Sequence, residues 1–293
     1  MLIKIARMSV LLMALSAPAA IAQISASNNN LPSSAATLAA GRYAYADVAD
    51  LADHAPLVLD AVVRSAAKSG KPTADPKGVI RQRFYVEADV TALIRSPHAM
   101  ASRVSYLVDM PVDSKGKIAK LKKQRVLLFA QPIADKPGMI QLVSPDAQLL
   151  WDATSERWAR SVVTALLNTN APARITGVSS AFHAPGNVTG TGETQIFLTS
   201  ANGQPASLTI STPDGAQPSW SANFGEVLNA AAGIPPKDTL AWYRLACGLP
   251  ERLPAAAFED GGNAHQAKID ADYAMVRAAL GPCTRTRPMI PVK

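Results

Sequence analysis

The side chains best suited to acid–base and nucleophilic chemistry lie together in residues 179–193. Here Ser180 would be the nucleophile of a hydrolase, His183 its base and Glu193 the group that orients the base. Glycines and a proline lie between them, and catalytic side chains often occupy such loops. The same composition is typical of a plain hairpin loop, and no G-x-S-x-G sequence surrounds Ser180. A hydrolase is therefore an alternative hypothesis and not the leading one.

A strongly basic run lies between two predicted strands. Residues 115–125 contain six cations and no acid: Lys115, Lys117, Lys120, Lys122, Lys123 and Arg125. A basic loop beside a sheet is suited to binding an anionic polymer. The other interpretation is a solvated loop that keeps the protein dispersed. If the protein has a binding site, we expect these six side chains to form it.

Metal and nucleotide sites have no support in the sequence. The four histidines are scattered, and no C-x-x-C pair, Asp-rich calcium loop, P-loop or G-x-G-x-x-G segment occurs. Asp47, Asp50, Asp53 and His54 share one side of a short predicted helix, which indicates a solvated polar face. We therefore predict neither a metal nor a cofactor.

The first 22 residues have the three parts of a cleavable signal peptide. Lys4 and Arg7 give a positive start, residues 8–15 an apolar core, and residues 20–22 a small-residue cleavage site. The apolar core is too short to span a bilayer, which takes about 20 residues. Cleavage after Ala22 removes two cations and no acid, so the formal charge falls from +7 to +5. We expect a periplasmic or secreted protein.

Cys247 and Cys283 are the two cysteines of the chain. In an exported protein an even pair is typical of a disulfide rather than of a catalytic thiol. Each cysteine lies at the end of a predicted helix, so the bond would join two helices. The chain-entropy account of disulfides predicts a stabilisation of about 3–4 kcal/mol.

Hydrophobic periodicity divides the chain after the signal peptide into a leader and two parts. Residues 23–41 are polar and lack an apolar face, which predicts a disordered leader. Residues 42–146 contain a short helix and five strands, and residues 81–95 alternate most regularly. Five strands so close together predict a small closed or half-closed β-barrel.

The second part, residues 147–293, begins with a helix that Thr154 or Ser155 would cap and that ends near Asn168. An antiparallel meander follows, and this helix is its expected cover. Two helices complete the chain. The predicted class is α+β, in two domains.

Parts of the chain resemble known proteins. The strand order of residues 57–143 resembles the oligonucleotide/oligosaccharide-binding (OB) barrel and the netrin-like barrel. Residues 84–88, 123–130, 193–198 and 242–247 have sequences that resemble uncharacterised exported proteins of sphingomonad-type alphaproteobacteria. That second resemblance implies a Gram-negative periplasm or release from the cell. It implies no activity, cofactor or catalytic residue.

These features favour a non-catalytic envelope protein that binds a partner protein or an anionic polymer. The hydrolase on residues 179–193 is the first alternative. A structural accessory subunit is the second, and it would need an exposed apolar patch. Only 17% of residues are charged, so the modest positive charge permits acidic partners without requiring them.

Overall fold

Two antiparallel sheets and four α-helices are formed by residues 42–225, 233–259 and 262–290, the part of the chain that the computed structural model describes. The predicted signal peptide and the leader lie outside the described residues. The predicted α+β class is confirmed.

Alternating apolar side chains build the first sheet. In its longest strand, Phe84, Val86 and Ala88 are buried, whereas the intervening Arg83 and Tyr85 are exposed. The first strand of the sheet lies at its centre and pairs antiparallel with the third strand on one side and with the fifth strand on the other. The seven strands are β1 (Leu57–Lys68), β2 (Thr73–Ala74), β3 (Ile80–Arg95), β4 (Arg103–Pro111), β5 (Arg125–Pro132), β6 (Ile140–Leu142) and β7 (Gln148–Leu150).

The first sheet is not a closed barrel, so the closed alternative is wrong. β4 pairs with β3, and β6 pairs with β5. Between β4 and β6 the described residues form one parallel bridge, from Ser105 to Met139, in which the N–H of Ser105 donates to the carbonyl of Gly138 (2.8 Å). β6 is only three residues long, too short to form a continuous ladder with β4. An open seam therefore separates these two strands.

The second sheet is the predicted meander. Its strands are β8 (Ile175–Pro185), β9 (Gly192–Ser200), β10 (Ala206–Thr212) and β11 (Ser219–Asn223), paired in chain order. The turn between β9 and β10 contains Asn202-Gly203, and Gly203 has a φ of 75°, a conformation that glycine adopts without strain. Ile196, Leu208 and Ile210 form the buried face.

Four helices pack against the sheets: α1 (Tyr45–His54), α2 (Ala153–Leu166), α3 (Leu240–Gly248) and α4 (Gln266–Leu280). α2 packs against α1 and β3, whereas α3 and α4 contact β8. The prediction that the helix near residues 155–168 covers the meander is therefore wrong. The ring of Tyr45 explains this placement, because it makes edge contacts with Trp158 of α2 (5.7 Å) and Trp242 of α3 (6.0 Å).

The start of α2 also differs from the prediction. Asp152 is the N-cap, and its carboxylate accepts hydrogen bonds from the backbone N–H groups of Thr154 (3.0 Å) and Ser155 (2.8 Å). The two residues predicted as caps therefore occupy the first turn and are themselves capped.

The described residues belong to one compact unit, Ala40–Lys293. Both predicted domains, 42–146 and 147–293, fall within it, and the boundary between them stays a prediction. Among the described helices, none is long and apolar enough to cross a membrane.

Candidate functional site

The basic loop joins β4 to β5, and hydrogen bonds fix its backbone at both ends. Near its start, the carboxylate of Asp113 accepts from the backbone N–H groups of Lys115 (2.9 Å) and Lys117 (2.7 Å). Near its end, the N–H of Lys123 donates to the carbonyl of Val63 in β1 (2.8 Å). These contacts order the backbone while the lysine side chains stay exposed.

Lys68, Lys120 and Lys122 flank one groove of about 400 Å³, which we call the lysine groove. Phe84 and Ile118 supply part of its apolar lining. Among the described residues, no ion pair includes Lys68 or any lysine of the loop. The groove therefore presents positive charge that no neighbouring carboxylate neutralises.

Arg125, the sixth predicted cation, has a different environment. Its Nε donates to Asp60 (2.9 Å to Oδ1), whose side chain is 0% exposed. The guanidinium lies 3.8 Å from the centroid of the Trp151 ring, and Glu156 is 3.6 Å away. Arg125 is thus held in a structural ion pair although its side chain is 42% exposed, and the lysines supply the unpaired positive charge of the loop.

A chain of hydrogen bonds fixes the ring of His183, which lies on β8 opposite Thr194 of β9. The Thr194 hydroxyl donates to Asp272 of α4, so it accepts from Nδ1–H of His183 (2.8 Å). Lys268 pairs with the second oxygen of Asp272. Burial lowers the pKa of His183, and the charges of Lys268 and His265 lower it further. Neutral His183 therefore leaves Nε2 unprotonated, as a base requires.

The structure does not bring the three predicted catalytic side chains together. His183 and Thr194 face the buried side of the second sheet, and strand alternation points Glu193 to the solvent side. Ser180 pairs with the exposed Phe197 after a register shift in β8, so it also lies on the solvent side. Thr194 therefore occupies the orienting position that the sequence interpretation gave to Glu193.

The aspartates of α1 were predicted to form a solvated face, and this prediction is wrong, since Asp47 and Asp50 are each 1% exposed. Asp47 accepts from the N–H of Thr286 (3.1 Å), and Asp50 accepts from the N–H of Ile290 (2.9 Å). Both carboxylates thus hold residues 285–290 against α1.

Asp53 completes this buried network. It accepts two hydrogen bonds from Arg244 (2.7 and 2.8 Å) and one from Arg174 (2.6 Å). Burial alone would raise the pKa of Asp53, but its hydrogen bonds and ion pairs with Arg244 and Arg174 outweigh burial and lower the pKa to about 2. The carboxylate is therefore charged over the whole physiological range.

One sequence signal could have revealed these buried acids. Apart from the aspartates, residues 45–52 are all apolar, including Val48, Leu51 and Ala52, so the apolar surface of α1 is wider than the single stripe of a surface helix. The partners of Asp53 lie 121 and 191 residues further along the chain, so the pairing itself has no local signature.

An apolar groove of about 470 Å³ lies along the seam between β4 and β6. Tyr85, Leu107 and Met139 line it and are exposed, Leu107 by 46%. This is exposed apolar surface of the kind that the accessory-subunit alternative requires.

The predicted disulfide is confirmed, because Cys247 and Cys283 are bonded. It joins the last turn of α3 to the segment that follows α4. Within the described ranges, no three His, Cys, Asp or Glu side chains are grouped so that they could hold a metal ion. No known protein-family model matches the chain, and no curated protein matches its sequence.

Proposed function

We propose that the protein binds an acidic polysaccharide through the lysine groove and catalyses no reaction on it. The carrying observation is that Lys68, Lys120 and Lys122 lie around one groove, and no ion pair of the described residues includes them or the neighbouring loop lysines Lys115, Lys117 and Lys123. The arginines of the same sheet differ, since Arg83 pairs with Asp109 and Arg103 with Asp89. Unpaired, flexible ammonium groups suit a repeating anionic chain.

The aromatic side chains favour a polysaccharide over a single-stranded nucleic acid. Nucleic acid grooves stack successive bases on exposed aromatic rings. Phe84 is the aromatic residue that lines the described groove, and it is only 9% exposed. Tyr106 is buried, and Tyr85 points to the opposite face of β3. Recognition would therefore depend on charge and not on stacking.

The same proposal includes a periplasmic or secreted location. The disulfide supports it, because such bonds persist in oxidising compartments, and so do the signal-like residues 1–22. The strand order β4–β3–β1–β5–β6 supports the proposed resemblance to the OB barrel, a partly open five-stranded architecture that binds oligosaccharides and oligonucleotides.

Replacing Lys120 and Lys122 by Glu tests the proposal. We expect the wild-type protein to be retained on heparin at low salt, and the variant K120E/K122E to elute at much lower salt. The affinity for heparin in solution should fall at least about tenfold at roughly 50 mM salt. Each lysine that no longer contacts a sulfate or other anionic group of heparin reduces the number of counterions that binding releases. The measurement is titration of fluorescent heparin at several salt concentrations.

A matched variant, K136E/K237E, changes the charge by the same amount at exposed positions outside the groove. It should keep most of the affinity. An equal loss of heparin affinity in the two variants would show non-specific charge attraction. Unchanged heparin binding by K120E/K122E would refute binding in the lysine groove. Tighter binding of single-stranded DNA than of heparin would refute the polysaccharide class.

A further inference from the structure

A third cavity, of about 290 Å³, lies between α1, the start of β8, α3 and residues 285–290. We call it the arginine cavity, since Arg174, Arg244 and Arg285 all line it. It shares no lining residue with the lysine groove. None of the predicted binding or catalytic side chains contributes to it, so it calls for its own explanation.

Among the described residues, the charged groups that pair at the arginine cavity do not balance. Asp53 pairs with both Arg174 and Arg244, and Asp50 lies 3.8 Å from Nη1 of Arg285, so three guanidinium groups share two carboxylates and one positive charge is in excess. His54 also lines the cavity and adds no negative charge; its Nδ1–H donates to the carbonyl of Asp50 (2.8 Å). One further negative charge would neutralise the cavity.

Both carboxylates are already occupied by protein donors. Asp50 accepts from the Tyr243 hydroxyl (3.1 Å) and the N–H of Ile290. Asp53 accepts three hydrogen bonds from two arginines. Asp50 also forms an ion pair with Arg285, but at 3.8 Å its oxygen is too far from Nη1 for a hydrogen bond. Neither carboxylate therefore accepts a hydrogen bond from the remaining guanidinium donors.

Those remaining donors belong to two arginines. In the described structure, the hydrogen bonds of Arg174 use Nη2 alone, which leaves Nε and Nη1 available on a side chain that is 27% exposed. Nη2 of Arg285 is buried and has no hydrogen-bond partner among the described residues. Arg244 is different, because its Nε donates to the carbonyl of Pro172 and its other nitrogens to Asp53. A buried donor without a partner is costly, and a guanidinium fork matches a carboxylate.

We propose that the arginine cavity binds a small organic monocarboxylate. Its carboxylate would accept from Arg174 and Arg285, and a short apolar part would lie against Ile175 and Met289, which line the same cavity. The single excess charge fits one carboxylate rather than a phosphate dianion. The volume fits a molecule of a few carbon atoms, below the usual range for larger ligands.

Binding of butyrate to the full mature chain tests this proposal, with butyramide as the uncharged control and inorganic phosphate as the competing anion. We expect saturable binding of butyrate by isothermal titration calorimetry and a shift of the His54 ring signals in NMR spectra. R174Q should weaken butyrate binding roughly tenfold or more, as expected for a charge-assisted hydrogen bond. R160Q is the matched control, since Arg160 is an exposed arginine of α2 paired with Glu156.

Several outcomes would overturn the proposal. These are no saturable binding of butyrate, equal binding of butyramide, tighter binding of phosphate, or equal weakening by R174Q and R160Q. If R174Q does not fold, as judged by circular dichroism, R285Q gives the same test on the second arginine. K120E/K122E should leave butyrate binding unchanged, and R174Q should leave heparin retention unchanged, so the two sites can fail independently.

Discussion

Replacing Asp53 by Asn should lower the free energy of unfolding by about 3–5 kcal/mol, the usual result of removing one partner of a buried ion pair. Asp53 neutralises Arg244, whose side chain is only 5% exposed. The amide of Asn carries no charge and would place N–H donors against guanidinium donors. Urea unfolding followed by circular dichroism measures the loss.

The control for this prediction is Asp270→Asn, which changes an exposed aspartate of α4. It should alter stability by no more than about 0.5 kcal/mol. The double variant D53N/R244Q should lose less free energy of unfolding than D53N and R244Q lose in sum, because the uncompensated buried charge is gone. A loss below about 1 kcal/mol in D53N would contradict the assigned pairing.

The same carboxylate makes stability depend on pH in the acid range. The pKa of Asp53 is about 2 in the folded protein, below its ordinary value of 3.8. A carboxyl group whose pKa is lower in the folded than in the unfolded protein stabilises the fold at pH values above its unfolded pKa. This stabilisation is lost as the pH falls through the pKa of the folded protein. Between about pH 4 and pH 2, wild type should therefore lose about 2 kcal/mol more than D53N. Parallel curves of unfolding free energy against pH for the two proteins would contradict the lowered pKa of Asp53.

Removing the disulfide is the second change with a large expected effect. Replacing Cys247 and Cys283 by Ala opens a loop of sequence separation 36, and the chain-entropy account predicts a loss of about 4 kcal/mol. Amide hydrogen exchange should rise most in α4, which the bond holds beside α3. Unfolding in urea with matched spectroscopic probes measures the loss.

Reduction provides the internal control. Wild type treated with a reductant should match the double variant, and the variant should not respond to the reductant. Titration of free thiols in native, air-exposed wild type should give none. Thiols found there, or a variant as stable as wild type, would contradict a stabilising bond.

Local periodicity accounts for the parts of the fold that the sequence predicted well. Phe84, Val86 and Ala88 alternate with polar residues, and this pattern requires a strand with one buried face. Asn202-Gly203 between two alternating segments predicts a hairpin, and β9 and β10 meet there. The helices near residues 240–248 and 266–280 follow from their apolar stripes and from the glycines at their ends.

Long-range pairing accounts for what the sequence could not predict. Closure of the first sheet depends on how far β6 reaches along β4, and no local pattern sets that length. Arg125 is one cation among six in the sequence, and only the fold shows that it forms an ion pair with Asp60, 65 residues earlier. In the candidate hydrolase loop, a register shift in β8 decides which face Ser180 occupies.

The segment of residues 285–290 has a consequence for the order in which the chain can mature. Asp47 and Asp50 of the first helix find their partners 239 and 240 residues later, at Thr286 and Ile290. A chain that is made, or passed through a membrane, from its N-terminus cannot complete the hydrogen bonds of these carboxylates until residues 286–290 arrive. Contacts of such sequence separation form slowly because the intervening loop must close first. The packing of α1 is thus completed only after residues 286–290 have been added.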